Sequence, residues 1–300
     1  MIPSVIIEPQ PRWVSFTPYW RNDRILNREF AVPIINDKLN DFLYQKIRNI
    51  VITYWAGWAD YKEIGDFIAR HPESSIFRML NEYNVQSLSS YLLKVVDESK
   101  TTLIANFPRT KKRVKDYLYM NLNTLIYEER TIEPAPKKYD LIYYGMFRPN
   151  RAEYFKRYLN DGAYVSTSPK NILLFKQIGI RPRFIGTFLW GRRSLIENFY
   201  FSLYIEDIYT HTHYNFPANR FYEALMFNVV LLVDENCRNT FETAGYPVDD
   251  YYVSDERSLK KKIIELKKTY REHLRRQQTW REKAKEERKD VIDRLRPIFT

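Results

Sequence analysis

Two stretches in the second half of this 300-residue chain carry the residue types that hold a diphosphate ester. The first is Asn215-Phe-Pro-Ala-Asn-Arg-Phe-Tyr-Glu-Ala-Leu-Met-Phe-Asn-Val-Val-Leu-Leu-Val-Asp234. Pro217 suits the first turn of a helix, where its missing N–H costs nothing. The spacing predicts a helix as far as Phe227, a turn at Asn228 and a buried parallel strand over 229–233. Arg220 and Glu223 fall near the start of that helix. A helix N-terminus is a natural phosphate site, and a carboxylate one turn further in can accept hydrogen bonds from ribose hydroxyls. An ordinary helix–strand unit with charged surface residues fits the same letters.

The second stretch is Tyr139-Asp-Leu-Ile-Tyr-Tyr-Gly-Met-Phe-Arg-Pro-Asn-Arg-Ala-Glu-Tyr-Phe155. Here a strand ends at Gly145, which permits close backbone approach, and Arg148 and Arg151 follow in the loop and the first turn of the next helix. Two guanidinium groups beside a glycine turn can clamp a diphosphate, because arginine makes bidentate contacts to phosphate oxygens. The alternative for Arg151 is a pair with a carboxylate.

The elements that must position these residues alternate between strand and helix, the pattern of parallel α/β domains. In the first half, strands are expected at 49–55, 75–80, 101–107 and 124–127. Helices are expected at 58–70, 87–97 and 111–120. The segment 128–138 is charged, holds two prolines and shows no periodicity, so it reads as an interdomain linker. It divides the chain into domains 1–130 and 131–300. In the second domain, strands are expected at 139–144, 163–167, 183–186, 200–205, 229–233 and 251–253, and a long helical tail over 258–295. Open parallel sheets bind ligands outside the carboxyl ends of their strands.

The succession Asn121-Leu-Asn-Thr-Leu-Ile-Tyr127, the proline linker, Tyr-Tyr-Gly-Met-Phe-Arg-Pro-Asn-Arg and then Asn-Arg-Phe-Tyr-Glu-Ala resembles bacteriophage GT-B glycosyltransferases, of the type that glucosylates hydroxymethylated bases in DNA. The similarity covers about residues 120–255. It implies two Rossmann-like domains facing a cleft. A uridine diphosphate sugar would be held mainly by the C-terminal domain, and the acceptor by the N-terminal one. Gly145, Arg148, Arg151, Arg220 and Glu223 carry over as donor contacts, and Asn215 and Asn219 complete the candidate donor set. Many retaining members carry a glutamate eight positions before the one on the ribose. Asn215 stands there in this chain, and asparagine can hydrogen-bond a sugar hydroxyl but cannot act as a base. His211 and His213 precede that site, where each can touch phosphate or sugar or be structural.

A carboxylate at a loop of the first domain is needed to take the acceptor's proton. Asp60 and Glu82 are the candidates, Asp60 after Trp55-Ala-Gly-Trp58 and Glu82 immediately after the strand at 75–80. Glu63 follows Asp60, and His71 sits at a helix end. Trp55 and Trp58 can stack on a sugar or base, or lie in the core.

The formal net charge is +11, and residues 257–296 hold 16 Lys+Arg against 7 Asp+Glu. A second basic cluster, Arg109-Thr-Lys-Lys-Arg-Val-Lys115, lies in the first half. Such clusters suit a polyanion, so Lys111, Lys112, Arg113 and Lys115 are the candidate contacts to double-stranded DNA. The basic tail can grip DNA or brace the first domain. Two rival readings remain: a transferase acting on a polysaccharide or lipid-linked glycan, and a non-enzymatic nucleic-acid-binding protein.

With 44% hydrophobic and 16% aromatic residues the chain can build packed cores. One cysteine, Cys237, permits neither an intramolecular disulfide nor a cysteine zinc site. There is no Walker loop, dinucleotide fingerprint, His-Glu-x-x-His or Asp-x-Asp, so no metal site and no permanently bound cofactor are expected. No signal peptide or membrane span is apparent, and a monomer in the cytoplasm is expected.

Overall fold

The computed structural model describes residues 2–8, 18–35, 39–53, 62–80, 92–108, 115–128, 136–159, 163–186, 194–207 and 215–300. The chain forms two compact units. Unit 1 comprises Met1–Ile126 together with Glu287–Thr300, and unit 2 comprises Tyr127–Glu286.

Unit 1 is built on a parallel sheet of β1 (Ile2–Ile7), β2 (Ile34–Ile35), β3 (Ile47–Ile52), β4 (Ser75–Leu80), β5 (Thr102–Ala105) and β6 (Asp116–Tyr119), in the order β2-β1-β3-β4-β5-β6. The two-residue period of a strand assigns its apolar residues to opposite faces. Ile6, paired with Val51, belongs to a core shared with Leu26 of helix α1 (Pro18–Phe30) and with Val291, Leu295, Ile298 and Phe299. Ile7, paired with Ile52, belongs to the opposite core, which is filled by Ile64, Phe67 and Ile68 of α2 (Lys62–Ala69).

Several sequence expectations are corrected here. β1, β2 and α1 carried no expectation, although Val5-Ile-Ile7 is an apolar run. The basic helix expected over 111–120 is replaced, in its described part, by strand β6. Tyr117, Leu118 and Tyr119 have the β-propensity that wins there. The strand expected at 124–127 is a buried 3-10 turn, Leu122–Ile126, in which the Thr124 hydroxyl donates to the Asn121 carbonyl at 2.8 Å. The described end of the helix expected at 87–97 is only the short 3-10 turn Leu92–Lys94.

Unit 2 holds β7 (Tyr139–Tyr144), α3 (Ala152–Tyr158), β8 (Tyr164–Ser166), α4 (Pro169–Gln177), β9 (Arg183–Phe184), α5 (Ser194–Glu197), β10 (Phe199–Tyr204), α6 (Asn219–Met226), β11 (Val230–Asp234), α7 (Arg238–Ala244) and β12 (Tyr252–Val253). Its parallel strands run in the order β12-β11-β10-β7-β8-β9. From β7 the chain builds outward on one side through β8 and β9, then crosses to the other side of β7 with β10. A topological switch point therefore lies between β7 and β10, the place where open sheets hold ligands.

The tail is not one helix but three, α8 (Glu256–Lys268), α9 (Tyr270–Arg276) and α10 (Gln278–Phe299). An Asp255–Ser258 capping box starts α8. The Thr269 hydroxyl at the break between α8 and α9 lies 3.1 Å from His273 Nε2, four residues on. Residues 287–300, expected with the second domain, pack instead in unit 1. Residues 287–300 thus contribute Val291, Leu295, Ile298 and Phe299 to the core of unit 1.

Candidate functional site

The carboxyl edge of the unit 2 sheet at the β7–β10 switch point gathers most of the donor candidates. Gly145 leaves β7 with φ +147°, a conformation that L side chains rarely adopt, and its N–H donates to the Ser166 carbonyl at 3.1 Å. A Cβ there would lie 3.2 Å from Tyr143 Oη and 3.6 Å from an Arg220 guanidinium nitrogen. The glycine thus lets the chain turn tightly over Arg220.

Arg151 is 4% exposed and committed to carboxylates. One of its terminal nitrogens pairs with Glu206, and its Nε donates to Asp207 Oδ2 at 3.0 Å. Glu206 also faces the Arg220 guanidinium at 3.3 Å. Arg220 donates to the Ile205 carbonyl at 3.1 Å and lies over the rings of Tyr143 and Tyr204. Burial alone would lower its pKa, but Glu206 and the two tyrosines outweigh burial and raise it, so the guanidinium stays charged. Glu206 and Asp207, both buried, follow β10 directly and are the partners that sequence reasoning missed. The signal was two adjacent carboxylates ending an apolar strand.

Helix α6 begins at Asn219 with Ala218 as its N-cap, so Pro217 stands just outside the first turn rather than in it. The Ala218 N–H donates to Tyr204 Oη at 2.8 Å. Asn219 Oδ1 is buried with no hydrogen-bond partner among the described residues. Glu223 lies on the packed side of α6, 4% exposed. It adjoins Tyr144, whose hydroxyl donates to the Arg220 carbonyl at 2.8 Å and whose pKa is raised by burial and then by Glu223. Arg148, at the N-cap of the turn Pro149–Arg151, and Asn215 are partly exposed.

The remaining candidates are elsewhere or outside the described residues. Asp60, Glu82, Trp55, Trp58, His211, His213, Lys111, Lys112 and Arg113 lie outside them. Lys115 sits at the amino end of β6, its N–H bonded to the Thr101 carbonyl, beside Lys100 in a groove at the amino edge of the unit 1 sheet. Glu63 is exposed in the first turn of α2. His71 packs on Phe67 with ring centres 4.6 Å apart, and burial lowers its pKa, as befits a structural histidine. Among the described residues no helix is long and apolar enough to cross a membrane.

Solved structures share this arrangement of elements over nearly the whole chain. The bacteriophage T4 beta-glucosyltransferase superposes with a TM-score of 0.72 at 16% identity, covering 99% of both chains. The fold is GT-B. The T4 enzyme in complex with UDP and Mn2+ matches with a TM-score of 0.70 at 15% identity, over 99% of both chains. An alpha-glucosyltransferase in complex with UDP and a 13-mer DNA containing an HMU base matches with a TM-score of 0.60 at 10% identity, again over 99% of both chains. No protein-family model and no curated protein sequence matches the chain. Within this GT-B fold, Glu206 and Asp207 are each paired with arginine, and the described residues offer no cluster of three or more ligating side chains for a metal ion.

Proposed function

We propose that this protein is a glycosyltransferase that moves a hexose from a uridine diphosphate sugar to a hydroxymethylated pyrimidine base in DNA. The observation that carries the reading is the convergence of Gly145, Arg220 and the start of α6 at the switch point of unit 2, within a chain that follows the phage glucosyltransferase fold from end to end. Two of those neighbours hold UDP, and one of these also holds DNA with an HMU base, which supports both donor and acceptor classes.

In this reading Arg148, Arg220 and the α6 N-terminus meet the pyrophosphate, where positive charge stabilises the leaving diphosphate. Glu223 accepts the ribose hydroxyls, and Asn215 and Asn219 bond the sugar. Arg151 acts one step back: it fixes Glu206 and Asp207, and Glu206 in turn orients Arg220. Asp60 and Glu82 remain acceptor-side candidates, and Lys111, Lys112, Arg113 and Lys115 are the proposed phosphate contacts of a DNA duplex.

The test is incubation with a panel of nucleotide sugars and with hydroxymethylated, methylated and unmodified duplexes, followed by digestion to nucleosides and mass measurement. A hexose mass added to the hydroxymethylated base alone is the expected result. Donor binding without transfer to any DNA would overturn the acceptor, and absence of UDP binding would overturn the enzyme.

A further inference from the structure

Unit 1 has a switch point of its own, between β1 and β3, and its carboxyl edge carries polar groups that the described structure leaves unused. Glu8 follows β1 and Thr53 follows β3. The ladder continues through them, because the Glu8 N–H donates to the Ile35 carbonyl at 3.0 Å and the Thr53 N–H to the Ile7 carbonyl at 3.2 Å. Strand alternation places Glu8 on the face of Ile6, Thr53 on that of Val51 and Asn106 on that of Ile104, all one face of the sheet. Helix α1 covers that face through Leu26, and Asn22 and Asp23 lie one turn before it.

Four side-chain oxygens on this face have no hydrogen-bond partner among the described residues: Glu8 Oε1, Asn22 Oδ1, Thr53 Oγ1 and Asn106 Oδ1. The residues that bear them are all at least nine-tenths buried. The amide nitrogens are already committed, Asn22 Nδ2 to the Leu122 carbonyl and Asn106 Nδ2 to Asn123 Oδ1, each at 3.2 Å. Buried acceptors left unmade are costly. A hydroxyl-bearing molecule brings the donor that Glu8 Oε1 lacks, and the Thr53 hydroxyl can donate to such a molecule or accept from it. Arg24 reaches Glu8 Oε2 at 3.2 Å from a side chain 41% exposed, so the carboxyl is one ion pair away from solvent and its second oxygen is unclaimed.

We propose that Glu8 is the proton acceptor for an alcohol substrate bound at this edge, with Thr53 at the end of the neighbouring strand bonded to the same substrate. This rests on the glycosyltransferase reading. The alcohol oxygen bonds to the anomeric carbon while that carbon's bond to the diphosphate oxygen breaks, its electron pair leaving with the nucleotide. The hydroxyl proton passes to Glu8 Oε1 and returns to water before the next turnover. Burial, opposed by Arg24, pushes the Glu8 carboxyl up to about 7, where a general base works best at neutral pH. Asp23, raised by burial and then by Glu8, is the other titratable group facing it among the described residues.

The test measures transfer from UDP-glucose to duplexes containing 5-hydroxymethylcytosine or 5-hydroxymethyluracil across pH, with UDP affinity measured by calorimetry. Glu8→Gln is expected to lower transfer by about 10²–10⁴-fold with UDP affinity unchanged. Arg24→Gln is expected to stay active with its acidic limb moved to higher pH, because the guanidinium favours the charged carboxylate. Should Glu8→Gln fail to fold, the Arg24→Gln profile decides. Transfer by Glu8→Gln within about threefold of the parent, or an unmoved limb in Arg24→Gln, overturns this assignment alone. A parent protein that transfers to neither duplex overturns the proposed acceptor and this site with it.

Discussion

Arg148 and Arg151 look alike in the sequence, but Arg151 is buried against two carboxylates and Arg148 is partly exposed. Arg151→Ala removes a buried guanidinium from Glu206 and Asp207, a loss worth about 3–5 kcal/mol. Urea unfolding should show it directly. Arg148→Ala should cost within about 1 kcal/mol of stability, as for a partly exposed loop residue, while weakening UDP more than uridine. Equal stability losses in the two variants would contradict the division of labour. Glu8 gives a second test at this scale. Its folded pKa, about 7, lies above the ordinary 4.5, so the stability it contributes is present below pH 4.5 and is lost as pH rises through 7. Glutamine mimics the neutral acid. Glu8→Gln should therefore gain up to about 3 kcal/mol over the parent at pH 8 and nothing at pH 4, read by thermal melts at both values.

The turn after β7 is where one backbone conformation does the positioning. Gly145→Ala forces a side chain into φ +147° and against Tyr143 Oη, at a cost of about 1–3 kcal/mol. It should weaken UDP binding as well, since Arg220 lies under the same Cβ. Unchanged UDP affinity, measured by calorimetry, would separate the turn from the site. Three strands were legible in the sequence: β4 and β7, whose carboxyl-terminal halves are buried, fall at the expected residues, and the fully buried β11 one residue on. The 3-10 turn Leu122–Ile126 was not, because a segment buried at every position, Asn123 and Thr124 included, has no periodicity to read. In the candidate site, Arg220 and Glu223 could be placed by their spacing from a helix start. Glu206 could not, since its partners Arg151 and Arg220 come from separate elements and meet only once β7 and β10 are paired.

At the scale of the whole molecule, the two units are not two consecutive lengths of chain. Leu295, Ile298 and Phe299 fill a core whose other walls are β1, β3, β4 and β5, and both Ser4 and Asn49 donate side-chain hydrogen bonds to the Ile298 carbonyl. Leu295→Ala should destabilise unit 1 by about 2–5 kcal/mol. Removing residues 287–300 should leave that unit open to limited proteolysis while Tyr127–Glu286 stays protected; equal protection of both units would contradict the bracing role. The same closure has a consequence for biosynthesis. A chain emerging from a ribosome presents Met1–Ile126 first, but one wall of that unit's core is made last, across a separation of 294 residues. Tyr127–Glu286 therefore has all its parts before the earlier unit does, and can complete its core first although it is translated second. Until the last turns of α10 are released, the apolar face of the nascent N-terminal sheet has α1 over it but lacks Val291, Leu295, Ile298 and Phe299, and that interval is when a chaperone has something to hold.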